Sequence, residues 1–466
     1  PLAGIDANVE LNVQKLTLNE QTLQSVHFDG TLQGGTLTLR DLSVKEFAGG
    51  KGALSGTISD LAGQPRFDTK FDLSAKDAGK AFQLAGLGKA PGKLGALKLG
   101  GTLSGGAQDV AYDVTFSIAG VGASGAAKGK ATGIGAGIPR IDTTFDLKAK
   151  DAGPLATFAG MSAADASKLG AVALVGTAAS GADDLTYDVT ISMAGVGGQG
   201  QFKGKLAGLS GTPQVDTRLD FTAKKPAPLL ALAGMAGPAA SKLGQLGIAG
   251  TMAGNADNMK LDLGLQGFGG NAKVAGTVMA ATPPTRFDLA ISADHPEFRD
   301  LLAALVPGYK PQADKLGPLA LAAKATGSTD SASVSDLSLK AGQNSLAGNL
   351  KLDQTGARPF VTTALRGGLV DLTPFSPPAG KGGGGAGGGE RWSREPLDLS
   401  ILETFDADVD FAADRFISGE TQIDNLQAKL AVRDGTLTIT QLTGNTYGGA
   451  VNLTGTLASR GVPTFN

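Results

Sequence analysis

A repeat of about 74 residues is the feature that most constrains how this chain of 466 residues can fold. The stretch Phe67–Gly79 returns with few changes as Ile141–Gly153 and Val215–Ala227, and looser copies start at Phe287 and Phe360. Two further landmarks keep the same period: a Leu-Gly pair, and the motif Tyr-Asp-Val-Thr. Repeats of this kind stack similar units along one axis, so we expect an elongated repeat protein.

Each copy opens on a strand that alternates apolar and charged residues. In the first copy Phe67, Phe71 and Leu73 fall on one face, whereas Asp68 and Lys70 fall on the other. A helical segment of about 15–20 residues then follows, with Pro near its first turn in three copies. Three or four more strands with short Gly-containing turns complete the copy. This order predicts a mostly β fold with short helices.

The apolar face of these strands must be buried against something. One short helix per copy is little cover, so the sheet must curl over itself, stack on a neighbour or cover a molecule that is not protein. We predict curled antiparallel β-sheets that form an apolar groove. The candidates for its lining are the large apolar residues of the alternating strands: Phe71, Leu73, Val114, Phe116, Ile118, Phe145, Leu147, Ile191, Leu219, Phe221, Leu261, Leu263, Leu289 and Ile291.

A second repeat, about 400 residues apart, divides the chain further. Ile5–Leu11 matches Phe405–Phe411, and the glycine turns that follow them also correspond. Between the two copies lies a glycine-rich stretch typical of flexible linkers. We therefore expect a β module in residues 1–60, four β-rich repeats and a closing strand in 61–376, a linker in 377–392 and a second β module in 393–466.

The composition argues against an enzyme. The chain has no Cys, only two His and a net charge of -2, so thiolate chemistry is excluded and no basic excess favours nucleic acid. We expect no catalytic residues, no metal and no cofactor. The large content of glycine, 71 residues, has two explanations that stay open. Small residues let curved sheets approach closely, or they leave apolar volume that a guest chain fills.

Few side chains suggest a specific site. His27 and His295 each lack a second ligand at metal-binding spacing. Asp406, Asp408 and Asp410 alternate as on one strand face rather than in a calcium loop, so we interpret them as solvated. Trp392, at the end of the linker, is expected to pack against the next module.

The sequence shows no membrane-spanning stretch. The longest apolar run, Pro226–Ala240, is interrupted by Pro and Gly and is shorter than the roughly 20 residues that a spanning helix needs. Because the chain begins at Pro1 and stops within a strand pattern, we interpret it as a fragment, from which a leader or anchor would be absent.

The C-terminal region resembles that of the AsmA family. The resemblance is carried by the strand Leu402–Phe411, the strand Asn425–Leu437 with its Arg-Asp-Gly turn, and the aromatic-Gly-Gly turn and strand Tyr447–Gly455. Residues 1–57 resemble the same pattern more loosely. The 74-residue copies are similar to the β units between such modules in large AsmA-like proteins.

This resemblance implies a function without chemistry. AsmA-like proteins are anchored in the inner membrane of Gram-negative bacteria, with a periplasmic body whose apolar groove carries phospholipid toward the outer membrane. By this resemblance we expect phospholipid, the two membranes and membrane proteins as partners, and a periplasmic location with an anchor outside this sequence. Two alternatives stay open: a dry β scaffold for outer-membrane assembly, and a surface adhesin-like β solenoid.

Overall fold

The fold is a mostly β structure with short helices, as the alternation predicts. A computed structural model describes residues 6–18, 21–47, 49–84, 94–135, 138–156, 162–235, 237–306, 309, 311–376, 400–458 and 464–465. About 66% of the described residues are in strands and 10% in helices, and the sheet is not closed. The chain forms two compact units, Pro1–Ala240 and Ser241–Asn466.

The first unit is an antiparallel sheet in which each strand pairs with the next along the chain. Its strands are β1 Ala7–Leu18, β2 Gln21–Gln33, β3 Thr36–Phe47, β4 Gly50–Ser59, β5 Arg66–Ala75, β6 Leu97–Gly106, β7 Asp109–Ile118, β8 Ala123–Thr132, β9 Arg140–Ala149, β10 Val172–Ser180, β11 Asp184–Met193, β12 Gly198–Ala207 and β13 Gln214–Ala223. Its helices are α1 Ala78–Leu84, α2 Gly153–Ala156, α3 Ala163–Ser167 and α4 Ala227–Leu232. The short helix α5 (Pro238–Lys242) spans the residues where this unit ends.

The second unit follows the same rule of sequential pairing. Its strands are β14 Leu246–Asn255, β15 Asn258–Gly267, β16 Gly270–Met279, β17 Arg286–His295, β18 Leu319–Ser328, β19 Ser331–Ala341, β20 Asn344–Asp353, β21 Phe360–Asp371, β22 Asp406–Ser418, β23 Thr421–Arg433, β24 Thr436–Thr446, β25 Gly449–Ala458 and β26 Thr464–Phe465. Helix α6 covers Phe298–Leu305, and 3-10 turns cover Thr373–Phe375 and Ser400–Glu403.

One strand pair departs from the antiparallel sheet that the sequence predicts. Strands β21 and β22 run parallel, with Phe360 beside Asp406 and Asp371 beside Ile417. Parallel neighbours cannot be joined by a hairpin and need a crossover of a dozen or more residues. The chain between Asp371 and Asp406, which contains the glycine-rich stretch, is long enough for that connection.

The repeat has a regular layout in the first unit. A helical segment follows β5, β9 and β13, and three more strands complete each copy. The described helical segments therefore all leave the sheet at the same end of its strands, which we name the helix rim. We name the opposite end of the strands the hairpin rim. It contains the turns between β4 and β5, between β6 and β7, and between the later equivalent pairs.

The Leu-Gly landmark of the sequence is the core anchor of each repeat. Leu94 is only 1% exposed and clusters with Ala78 and Val121 at the helix rim. The next repeat builds the equivalent cluster from Leu169, Ala152 and Val196. The fully buried residues of these repeats therefore cluster at the helix rim.

The glycine after each of these leucines has a defined structural role. Gly95, Gly170 and Gly317 adopt φ between 70° and 79°, the left-handed region. In that conformation the carbonyl of Gly95 accepts the N–H of Ala78 at 2.7 Å, and the carbonyl of Gly170 accepts that of Ala152 at 3.0 Å. The landmark thus ties the start of each helical segment to the start of the following strand.

The helices are shorter than the 15–20 residues that the sequence predicts. The longest described helix, α6, has eight residues, and the segment after β13 is broken into α4 and α5. Gly234, between α4 and α5, has φ of 75°, which ends a helix rather than continuing it.

Glycines within the strands allow adjacent strands to come together on the apolar face. Gly101 in β6 has φ of 158°, and a Cβ added there would overlap the carbonyl oxygen of Asp113 in β7. Gly56 in β4 makes the equivalent approach to Asp68 in β5. Glycine at such positions is a device by which sheets curve.

We expect Gly101→Ala to destabilise the fold by about 1–3 kcal/mol, because the new methyl meets backbone in a conformation that L-residues avoid. Gly211→Ala is the matched control, because nothing lies within 4 Å of a Cβ at Gly211. Urea unfolding measures both variants. Equal stabilities would contradict the role given to Gly101.

Candidate functional site: an apolar trough

All fourteen candidate lining residues lie on the same face of their sheet. In an antiparallel pair, directly opposed residues share a face. Phe71 in β5 opposes Leu54 in β4 and Gly101 in β6, and the same register continues strand by strand through Phe116 to Leu219. Ten candidates share this face in the first unit: Phe71, Leu73, Val114, Phe116, Ile118, Phe145, Leu147, Ile191, Leu219 and Phe221.

The other four candidates share the equivalent face in the second unit. Leu261 and Leu289 both oppose Gly276, and Leu263 and Ile291 both oppose Val274. The face in each unit is therefore one apolar surface built from many strands, which we name the trough face.

The trough face is only partly covered. Thirteen of the fourteen candidates are half-buried, and Leu73 is 44% exposed. Among the described residues the largest fully buried side chains are Leu94 and Val196, and both belong to the clusters at the helix rim. The middle of the trough face is not a closed core.

A cavity of about 700 Å³ opens on the trough face of the first unit. Five strands of one sheet contribute to it, so the sheet curls around this volume. Phe71 and Leu73, two of the fourteen candidates, line it. The other lining residues are Leu23, Leu42, Val44, Phe47, Gly50, Lys51, Gly52, Ala53, Leu54, Ser74, Ala75, Ala81, Phe82, Leu97, Leu99 and Leu103.

Sequence reasoning missed most of this lining. Leu99 and Leu103 alternate with polar residues in β6, and Leu42 and Leu54 do so in β3 and β4. That alternation was the sequence pattern from which these residues could have been identified as lining. Phe82 of α1 closes the helix-rim side, and no strand pattern could have identified it.

Two buried threonine hydroxyls on the trough face of the first unit are hydrogen-bonded within the protein. Thr69 donates to the carbonyl of Leu103 at 3.2 Å, and Thr217 shares a hydrogen bond with the Tyr187 hydroxyl. Both threonines are buried. Because these polar atoms are satisfied, they add little polarity to the face.

The opposite face carries the charges of the alternating strands. Lys128 reaches Asp113 at 3.0 Å, and Lys203 reaches Asp188 at 3.0 Å on the equivalent strands of the next repeat. These side chains are substantially exposed, so the pairs contribute little stability. They make this face suited to water, as the sequence indicates.

The two histidines have structural partners. His27 contacts Asn12 at 2.8 Å and lies 3.9 Å from Asp41, a carboxylate on the neighbouring strand that sequence spacing did not reveal. His295 is buried at the end of β17, where its Nε2 meets the carbonyl of Phe268 at 2.7 Å. Its Nδ1 accepts the N–H of Glu297 at 3.1 Å.

The aspartates of the C-terminal module lie on β22, as the alternation predicts. Asp406 pairs with Arg358 at 2.8 Å, and Asp408 pairs with Arg433 at 2.8 Å. Within the described part of the chain, no group of three or more His, Asp or Glu could hold a metal ion. Trp392 and the glycine-rich linker 377–392 lie outside the described residues.

Glu297 fixes the loop around α6. One carboxylate oxygen accepts the N–H groups of Leu316 at 2.8 Å, Gly317 at 3.1 Å and Arg299 at 3.2 Å. These bonds, that from Leu316 above all, hold the pKa of Glu297 below its usual value. The bonds favour the ionised carboxylate.

The fold defines the class of protein: open β-repeat sheets with one apolar and one polar face. Residues 297–464 match the AsmA family. This match confirms the resemblance to the AsmA family that the sequence shows in its C-terminal region. The match covers the C-terminal module and extends into the fourth repeat. No curated protein and no solved structure matches the chain.

The helices in the described ranges are too short and too polar for any of them to cross a membrane.

We expect Glu297→Ala to lower the free energy of unfolding by about 1 kcal/mol at pH 7, the usual value of a helix cap. Because the folded-state pKa is lowered, this contribution is present above the unfolded-state pKa and disappears as pH falls through the folded value. The stability gap between wild type and variant should therefore close in acid. Denaturant unfolding between pH 3 and pH 7 measures it.

The control is Glu420→Ala, an exposed glutamate of the same unit. A gap for Glu297→Ala that stays constant down to pH 3 would contradict the role of the carboxylate charge.

Proposed function

We propose that this chain shields and conducts phospholipid between the inner and outer membranes of a Gram-negative bacterium. The observation that carries the proposal is the half-buried trough face with its open cavity of about 700 Å³. The match of residues 297–464 to the AsmA family supports it, since that family fits a role in lipid transport or outer-membrane biogenesis.

The trough face needs an apolar occupant. Each methylene removed from water contributes about 0.8 kcal/mol, so an acyl chain on this surface would be strongly favoured. The half-burial of the lining means that the protein itself supplies only part of the cover. Conduction along such a face needs no chemical step, and we propose a non-enzymatic function.

The dimensions of the strands suit an acyl chain. The ten residues of β5 extend over roughly 33 Å. One leaflet of a bilayer contributes about 15 Å of hydrocarbon, half of the 30 Å core. A tail can therefore lie along the strands without leaving the trough face.

The location and partners follow from the same proposal. A charged outer face lets the body stand in the aqueous periplasm, and the trough face takes lipid from one membrane and delivers it to the other. We propose that a segment outside this sequence anchors the protein in the inner membrane and that membrane proteins receive it at either side.

The main alternative is a scaffold with a dry interior, which the glycine and alanine content would also allow. Native mass spectrometry of the purified chain separates the two. We expect bound phospholipid, and a lipid-free chain would favour the scaffold. The adhesin-like solenoid calls for coils of about 20–25 residues, shorter than the repeat of about 74 residues.

We expect Leu219→Lys to reduce phospholipid transfer between vesicles at least about ten-fold, because a charge on the trough face opposes passage of hydrocarbon. Asp220→Lys is the matched control. It places the same charge one residue away in β13, on the outer face. Circular dichroism checks that both variants fold. Equal transfer by the two variants would remove the trough from the mechanism.

A further inference from the structure

The first three strands of the chain, β1 to β3, are paired in the same way as β22 to β24. The pairing of β1 with β2 starts with Ala7 opposite Leu32. The pairing of β22 with β23 starts with Ala407 opposite Val432, 400 residues later for both partners. One register shift in the next strand pair also recurs at this offset. Each residue of β1 therefore has a structural counterpart in β22.

The two groups of strands differ in what lies beside their first strand. On its other side, β22 pairs in parallel with β21, starting with Phe360 beside Asp406. Among the described residues, β1 pairs with β2 alone. Each of residues 6–13 is more exposed than its counterpart in 406–413. Leu11 is 52% exposed, whereas Phe411 is half-buried. The edge of β1 thus offers a row of backbone N–H and C=O groups to a further strand.

Asp6 repeats the hydrogen bond of its counterpart but lacks the ion pair. Asp406 accepts the N–H of Asp434 at 3.1 Å and pairs with Arg358, which precedes β21, at 2.8 Å. Asp6 accepts the N–H of Gly34, also at 3.1 Å. Within the described part of the chain, Asp6 forms no ion pair. The acceptor is in place, and the arginine that its counterpart binds is not.

The charges of the β1 edge complement a strand of the β21 kind. Leu11 shares the trough face through the register of β1 to β5, so Asp6 and Glu10, an odd number of residues away, lie on the outer face. The segment that contains β21 carries Arg358 and Arg366 and no other cation. Opposite charges across an interface favour one partner and one register over others.

We propose that the open edge of β1 binds the closing strand of a further 74-residue repeat, in parallel and in the register that β21 takes beside β22. This segment is extended, alternates apolar and polar residues, and carries an arginine two residues before its first paired residue. That arginine pairs with Asp6. The docked strand continues the trough face, because residues side by side in neighbouring strands point to the same face. The inference does not depend on what the trough face carries.

A synthetic peptide of residues 356–371 is the probe, because it supplies the β21 sequence without its neighbours. Fluorescence anisotropy of the labelled peptide, titrated with the whole chain, measures the affinity. We expect the peptide to bind at least about ten-fold more tightly than a scrambled peptide of the same composition.

A double-mutant cycle tests the ion pair. Asp6→Asn in the chain and Arg358→Gln in the peptide should each weaken binding about five-fold. The two changes together should cost no more than either alone, because both remove the same interaction. Glu46→Gln, which removes an exposed charge from β3, is the matched control and should leave the affinity unchanged.

Engineered cysteines report the register, since the chain has no cysteine of its own. Val361 lies beside Ala407, the counterpart of Ala7. A chain with Ala7→Cys should therefore form a disulfide with a peptide that carries Val361→Cys, because adjacent strands lie within the span of a disulfide. A peptide with Leu369→Cys is the control. Only an antiparallel strand about the same centre brings that position beside Ala7.

The outcomes separate this occupant from others. Cross-linking at Val361 together with the coupled loss at Asp6 and Arg358 supports the docking edge. Equal binding of the native and scrambled peptides, or cross-linking of the Leu369→Cys peptide instead, would overturn it. A wild-type dimer that Leu11→Lys dissociates would assign the edge to a second copy of the chain, which also contradicts the proposal. Circular dichroism checks that every chain variant folds.

Discussion

The register between neighbouring strands is the constraint on which the rest of the structure depends. Side chains alternate with a period of two, so one unbroken register keeps every apolar position of a unit on the same side. In the first unit that register runs from Leu54 through Phe71 and Phe145 to Leu219. A slip of one residue in any pair would move the apolar side chains of the following strands to the opposite face of the sheet. The described residues of the unit leave this face half-buried, so correct pairing creates an open apolar surface instead of a core.

Stability and binding capacity are divided between different parts of each repeat. Buried packing is concentrated at the helix rim, around anchors such as Leu94 and Leu169, where backbone bonds to the following glycine hold the helical segment in place. The middle of the strands is half-buried. The repeat can leave volume on its trough face because its rigidity does not come from filling that face.

Much of this organisation could be predicted from the sequence, and the remainder was beyond it for physical reasons. Alternation at Phe71 and Leu219 was sufficient to place them on one face. The Leu-Gly period marked Leu94 as important, but periodicity alone does not say that a residue is buried. The parallel pairing of β21 with β22 depends on a long connection whose direction no local pattern records.

The even number of strands in each repeat has a consequence for how such chains evolve. After four antiparallel strands the polypeptide is again at the end of the strands where it started, and its apolar side chains again lie on the same face of the sheet. A whole copy can therefore be duplicated or lost in frame, and every residue downstream keeps its facing. Each added copy widens the sheet by roughly 19 Å, four inter-strand spacings. Gene duplication could thus adjust the width of the sheet in fixed increments. Gain of an odd number of strands would instead reverse the direction of every strand that follows.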